Sequence, residues 1–186
     1  MVFARSAVPA VRLARAAAAV LAGSALLYVS AQIAVPANPF FGVPVTLQTL
    51  ALPILVALLG RDLATLAAVA YLLEGLSGAP VFQGHTGGLL RFVGPTATTA
   101  GYLLAFPLAT YAIGTLYRLG FARGYARRFA AVLAGTALVI ACGAAWLNAF
   151  FFHDLGAAFA AGVAPFAAGE IAKCAIAAAM PPRAAR

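Results

Sequence analysis

The stretch RFAAVLAGTALVIACGAAWLNAFFF, residues 128–152, decides the fold class of this 186-residue chain. It contains no charged residue after Arg128, and about 20 apolar residues are enough for a helix to cross a membrane. The chain as a whole is 65% hydrophobic and has a mean hydropathy of +1.01. A soluble domain of this length cannot bury so much apolar surface. The sequence therefore predicts an all-α integral membrane protein.

Five other apolar segments accompany this stretch. Together they predict a single membrane domain over residues 1–186 with six transmembrane helices, at about 12–33, 47–60, 62–77, 96–119, 128–152 and 164–180. Only Gly60, Arg61 and Asp62 join the second segment to the third, which predicts a tight helical hairpin. The sixth segment begins at Pro165, because proline is favoured at the start of a helix and disfavoured inside one.

Basic residues divide the connections between these segments into two groups. Ten of the twelve lie at the two ends of the chain, at Arg61 and within residues 118–128, whereas Arg91 is the only one in the segments 34–46, 78–95 and 153–163. The positive-inside rule makes the first group cytoplasmic, with both termini inside and the second group outside. The net charge of +8 therefore reflects topology in a bacterial cytoplasmic membrane and predicts no nucleic-acid partner.

The first apolar segment has a second interpretation. Arginines, an alanine-rich run and the small residues at 29–31 also match a secretory signal peptide, although the run is long for one. Cleavage there would leave the remaining topology unchanged.

Two outward segments differ in kind from ordinary connections. VPANPFFGVPVTLQTL, residues 35–50, is apolar but rich in proline. Irregular backbone at membrane depth needs protein or a ligand to cover it, which predicts a loop over a cavity; an extended connection with interfacial aromatics is the alternative. Residues 75–96 are rich in glycine and carry Gln83, whose amide both donates and accepts. A plain surface loop explains these glycines equally well.

The stretch GEIAKCA, residues 169–175, places an acid and the only lysine in an apolar helix. Helical spacing puts Phe166, Glu170, Lys173 and Ala177 on one face. Charge at membrane depth is costly, so this face should look toward the bundle interior or a wet cavity. Glu170 and Lys173 therefore form a structural ion pair, bind a ligand, or do both. Cys142 and Cys174 stand singly, and no metal or cofactor is predicted.

Four stretches together resemble the BioY family of biotin transporters, the substrate-binding S components of energy-coupling-factor transporters. They are VPVTLQTL at 43–50, YLLEGLSGAPVFQGHTGGL at 71–89, GPT at 94–96 followed by GYLLAFP at 101–107, and PFAAGEIAK at 165–173. The resemblance implies six membrane helices and uptake of biotin captured from the outer face. An S component for another vitamin is the alternative.

The resemblance also implies the site. Glu170 and Lys173 stand where the family has an acid and a lysine three residues apart, although the family acid is commonly aspartate. Glu170 would accept from a ureido N–H of biotin and Lys173 would pair with its carboxylate. Gln83 is the candidate donor to the ureido oxygen. The apolar walls would be formed by aromatic rings, with Phe41, Phe82 and Phe166 as candidates.

Partners follow from the same resemblance. A membrane-embedded T component and two ATPase subunits drive family members, and the small residues Ala14, Ala18 and Ala22 match the family's docking pattern on helix one. An alanine-rich helix also contains that spacing by chance, and the chain would otherwise act alone or by self-association. An intramembrane hydrolase using His85, His153 or Asp154 is less favoured, because the sequence lacks a nucleophile motif. No enzyme activity is predicted.

Overall fold

The computed structural model describes residues 4–36 and 43–183, and helices dominate them. The helices are α1 (Ala4–Gln32), α2 (Gln48–Leu76), α3 (Ala100–Leu104), α4 (Phe106–Leu116), α5 (Tyr125–Leu147), α6 (Leu155–Gly162) and α7 (Ala167–Ala178). A 3-10 turn covers Leu89–Arg91, and the π-helical turns Tyr117–Phe121 and Asn148–Phe152 extend α4 and α5. Within the described residues, four helices are long and apolar enough to cross a membrane, and five if the bent pair α6 and α7 counts as one span.

Helix α2 is a hairpin rather than one straight rod. Gly60 has φ 78° and ψ 174°, which are not helical values, and glycine adopts such a conformation without strain. Gln48 Nε2 donates to Tyr71 Oη at 2.9 Å. In a straight helix these two residues would lie about 35 Å apart, since each residue advances the chain by 1.5 Å. The chain therefore reverses at Gly60, as the sequence predicts for the turn between its second and third segments.

The first outward segment is partly extended, and its described residues are non-helical, as its prolines predict. Strands β1 (Ala34–Pro36) and β2 (Pro44–Thr46) pair antiparallel, with Val35 opposite Val45. Prolines 36 and 44 disfavour helix, and antiparallel pairing gives the extended backbone its hydrogen bonds. Leu47 N then donates to Ile33 O at 3.1 Å, which ties this pair to the end of α1.

The third outward segment is also more ordered than expected. Residues 153–163 were predicted as a loop, but α6 occupies Leu155–Gly162. Asp154 starts this helix, because its Oδ1 accepts from Ala157 N at 2.6 Å as an N-cap. Helices α6 and α7 then meet at an angle of 51°. Pro165 lies in the break between them, where the sequence predicts a helix start.

Close packing of α3, α5 and α6 fixes the ring of Tyr102. A methyl group on Gly143 of α5 would overlap this ring, so only glycine allows the approach. Tyr102 Oη donates to Gly162 O at 2.8 Å, which gives the buried hydroxyl a partner. Tyr102 also lies 5.9 Å from Phe166, measured between ring centroids. These contacts bring an aromatic surface to the end of the bundle where the outward segments lie.

Candidate ligand-binding site

The charged stripe of α7 faces the bundle interior. Phe166, Glu170, Lys173 and Ala177 are all buried, with Glu170 6% and Lys173 8% exposed. By contrast Ile171 and Ile176, on the other side of the same helix, are more than half exposed. The helical spacing thus predicted the buried face correctly. Two charges that would be costly against lipid tails are instead enclosed by protein.

Lys173 uses all three of its N–H donors inside the protein. Its Nζ donates to Thr46 O at 2.9 Å, to Thr49 Oγ1 at 2.8 Å and to Glu170 Oε1 at 2.5 Å. Thr46 ends β2, and Thr49 lies in the first turn of α2. The ammonium group therefore joins α7 to the segment that follows the first outward loop. These three hydrogen bonds leave Lys173 with no further donor.

Glu170 has one oxygen engaged and one unused. Its Oε1 accepts from Thr49 Oγ1 at 3.0 Å as well as from Lys173. Its Oε2 is buried and has no hydrogen-bond partner among the described residues. A carboxylate oxygen has two lone pairs, and leaving them unpaired in a buried place costs free energy. The site therefore presents an acceptor that an N–H donor would satisfy.

Glu170 lines a cavity at the end of the bundle where the outward segments lie. The cavity encloses about 600 Å³ of space between its atoms, including space open to solvent. Its polar lining consists of Thr46, Gln48, Thr49, Gln83, Arg91, Thr99 and Glu170. Its apolar lining includes Val43, Phe82, Tyr102, Phe106, Val139 and Phe166. A mostly apolar cavity with a few polar groups is typical of a small-molecule site.

The loop that follows α2 is held in place by hydrogen bonds. Phe82 and Thr86 form an isolated antiparallel bridge, and Tyr71 Oη donates to Val81 O at 3.0 Å. Gln32 Nε2 of α1 donates to Phe82 O at 3.1 Å. A methyl group on Gly75 would overlap the Phe82 ring, so glycine is needed there. This glycine-rich loop therefore forms a defined wall of the cavity rather than a plain surface loop.

Gln83 and Arg91 both bring hydrogen-bond donors to that wall. Gln83 O accepts from Thr86 Oγ1 at 2.9 Å and from Arg91 Nη2 at 3.3 Å. The Gln83 side chain makes no hydrogen bond with any residue that the structure describes, which leaves its amide free. Arg91 keeps four other N–H donors. It is the only cation in the cavity lining within residues 4–36 and 43–183.

Most predicted site residues meet in this cavity. Glu170, Gln83, Phe82 and Phe166 line it, whereas the described lining does not include Lys173, which lies next to Glu170. Phe41 lies outside the described residues.

Sequence reasoning missed Arg91, Thr49 and Tyr102. A signal for Arg91 was present, because it is the only basic residue in the three outward segments. Thr49 belongs to a stretch that carried the family resemblance, but its bond to Glu170 joins residues 121 positions apart and is invisible in the sequence.

The alanine stripe of α1 faces away from the bundle. Ala14, Ala18 and Ala22 are all exposed, whereas Ser24 and Leu27 are buried against the rest of the protein. The exposed surface of α1 therefore includes this line of small side chains, which allows close approach of another helix, beside larger exposed residues such as Leu13 and Leu21.

Comparisons with known proteins place the chain in a family. Residues 4–186 match the model of the BioY family. A protein of Thermotoga maritima named biotin transporter BioY is 36% identical over 155 residues, covering 83% of this chain and 86% of that protein. A probable biotin transporter BioY of Pyrococcus horikoshii is 37% identical over 153 residues, covering 82% and 85%.

A solved structure shares the fold. The crystal structure of the S-component for biotin from an ECF-type ABC transporter matches with a TM-score of 0.81 and 23% identity, covering 94% of this chain and 92% of that one. The family match over nearly the whole length and the two relatives show that this chain belongs to the BioY family.

Proposed function

We propose that this protein captures biotin from the outer face of a bacterial cytoplasmic membrane and mediates its uptake. The observation that carries the proposal is that Glu170 lines a mostly apolar cavity and that its Oε2 has no hydrogen-bond partner among the described residues. Biotin offers ureido N–H donors on an otherwise apolar bicycle. One of these donors would satisfy the orphaned oxygen, with a charge-assisted hydrogen bond. The names of the relatives support the same ligand.

The remaining polar groups of biotin match the cavity lining. The free amide of Gln83 would donate to the ureido oxygen, which Glu170 cannot do. Phe82 and Phe166 would contact the thiophane ring. The carboxylate of biotin needs a cation, and we assign it to Arg91 rather than to Lys173, because the donors of Lys173 are already used. Lys173 then serves to balance the negative charge of Glu170 and to hold its side chain in place.

Equilibrium binding of labelled biotin to the purified protein tests the proposal. Excess unlabelled biotin should displace the label, and a panel of other vitamins should not. If the protein binds a different vitamin and not biotin, that vitamin is its ligand. Absence of binding to every vitamin in the panel would refute the proposal.

The assignment of Arg91 has its own test. Arg91→Gln should lower the affinity for biotin about ten-fold or more, since it removes a charge-assisted hydrogen bond. Biotin methyl ester lacks the carboxylate charge, so it should bind the wild type and Arg91→Gln equally. Arg127→Gln is the matched control, because Arg127 is exposed and distant from the cavity lining. Equal loss for biotin and its methyl ester would place Arg91 outside the carboxylate site.

The proposed topology has six spans with both termini in the cytoplasm. The reversal at Gly60 and the bent pair α6 and α7 support it, because each would complete a pass through the membrane. Ser77 caps the end of α2 and Ala126 lies in the first turn of α5; both are exposed, and they lie on opposite predicted sides. In intact cells an impermeant thiol reagent should label Ser77→Cys but not Ala126→Cys. The reverse pattern would invert the topology.

The alanine stripe of α1 is the proposed docking face for a membrane-embedded T component, which would bring the ATPase subunits. Ala18→Leu adds bulk to an exposed position and should abolish co-purification of such partners without changing biotin affinity. Persistent co-purification would assign docking to another surface. If no ATPase co-purifies with the wild type and it migrates as an oligomer, self-association is the better account.

A further inference from the structure

A second cavity lies at the opposite end of the bundle. It is lined by Gly60, Arg61, Gly114, Tyr117, Arg118 and Arg123, among others, and encloses about 1000 Å³ including space open to solvent. Helix α4 runs between the two cavities, from Phe106 at the first to Gly114 at the second. The second cavity therefore lies at the other end of α4 from the proposed biotin site, and its function is independent of that site.

Positive charge is in excess in this cavity. Three arginines line it, and the acid paired with them is Asp62, whose Oδ1 accepts from Arg61 Nε at 2.8 Å and whose Oδ2 accepts from Arg118 Nη2 at 2.6 Å. Asp62 thus orients two guanidinium groups and uses one N–H of each. Arg123 makes no side-chain hydrogen bond or ion pair with any residue in the described ranges. Two positive charges remain without a counter-charge there.

A buried hydroxyl without a partner marks the same cavity. Tyr117 is only 8% exposed, and its Oη has no hydrogen-bond partner among residues 4–36 and 43–183. Buried hydroxyls in proteins are nearly always paired, because an unpaired one costs free energy. Because Tyr117 lines a cavity rich in arginine, an anion bound there would supply the missing acceptor.

We infer that this cavity binds a phosphate group, and that the phosphate belongs to the headgroup of an anionic membrane lipid. Guanidinium groups bind phosphate oxygens in pairs, and basic pockets between membrane helices bind lipid headgroups. Leu119 follows Arg118 directly in the chain and is 71% exposed, so this segment also offers apolar surface to an acyl chain. A soluble phosphate compound would use the same arginines but would not need that apolar surface.

Titration of the purified protein with phosphatidylglycerol, followed by native mass spectrometry, tests the inference. Wild type should bind phosphatidylglycerol in preference to phosphatidylcholine. Arg118→Gln and Arg123→Gln should each lower the affinity for phosphatidylglycerol about ten-fold, because each removes a charge-assisted hydrogen bond. Arg127→Gln removes the same charge from the same segment outside the cavity lining and should leave the affinity unchanged. None of these changes should alter biotin affinity.

Tyr117→Phe separates binding from a structural role. The hydroxyl has no partner among the residues that the structure describes, so its removal should not lower the thermal unfolding midpoint without lipid, but it should weaken phosphatidylglycerol binding. Wild-type lipid affinity in Arg118→Gln, Arg123→Gln and Tyr117→Phe would overturn the inference, as would equal weakening by Arg127→Gln. If inorganic phosphate binds and depends on the same arginines, the cavity is a phosphate site and the inference that its ligand is a lipid is overturned.

Discussion

Replacing Glu170 with glutamine should reverse the hydrogen-bonding capacity that the cavity presents to its ligand. Lys173 Nζ and Thr49 Oγ1 both donate to Glu170 Oε1, so the amide oxygen of Glu170→Gln should take that position. The amide nitrogen must then occupy the place of Oε2, the oxygen that has no partner within residues 4–36 and 43–183. A ureido N–H of biotin would meet a donor where the wild type offers a charged acceptor.

The expected loss follows from that exchange. A hydrogen bond to a charged group contributes about 1.5–3 kcal/mol. Glu170→Gln should therefore bind biotin about 10- to 150-fold more weakly, since each 1.4 kcal/mol is about a factor of ten. Equilibrium binding of radiolabelled biotin to detergent-purified protein measures the change. Thermal unfolding of the same sample establishes that the variant is folded.

Two controls make the result specific. Glu170→Asp keeps the charge on a side chain one methylene shorter, so its loss should be smaller than that of Glu170→Gln. A biotin analogue methylated on a ureido nitrogen should bind the wild type poorly, and Glu170→Gln should discriminate against it less. A folded Glu170→Gln protein with wild-type biotin affinity would refute the assignment of Oε2 to the ureido ring.

Two further changes test how the site is built. Lys173→Met leaves the Glu170 carboxylate buried without its cation and should lower the free energy of unfolding by about 3–5 kcal/mol. Chemical denaturation measures this free energy. Adding Glu170→Gln to Lys173→Met should restore part of the loss. Gly75→Ala should displace the Phe82 ring from the cavity wall and lower the affinity for biotin, because the added methyl group overlaps that ring. Gly169→Ala is its control, since a methyl group there meets no atom within 4 Å and alanine stabilises a helix interior by about 0.5–1 kcal/mol. Unchanged biotin affinity in Gly75→Ala would show that the position of Phe82 does not govern binding.

The site was predictable where charge and helical period act within one segment. The i, i+4, i+7 spacing of α7 was sufficient to place Phe166, Glu170 and Lys173 on one buried face. Residues 153–163 were predicted as a connection, and the short capped helix within them was missed. Single short helices carry little periodic signal, and a cap becomes visible only through its hydrogen bond.

Composition and charge pattern by themselves determined that this chain belongs in a membrane, and the spacing on α7 determined which face carries the charged pair, because both properties are local along the chain. Only the tertiary structure decided how the pair is used. Thr49, Gln83 and Arg91 come from segments far from α7 in sequence, and packing of the hairpin α2 and of the loop after it brings them around Glu170. Which charged oxygen remains unpaired depends on those distant contacts, and no local pattern in the sequence records them.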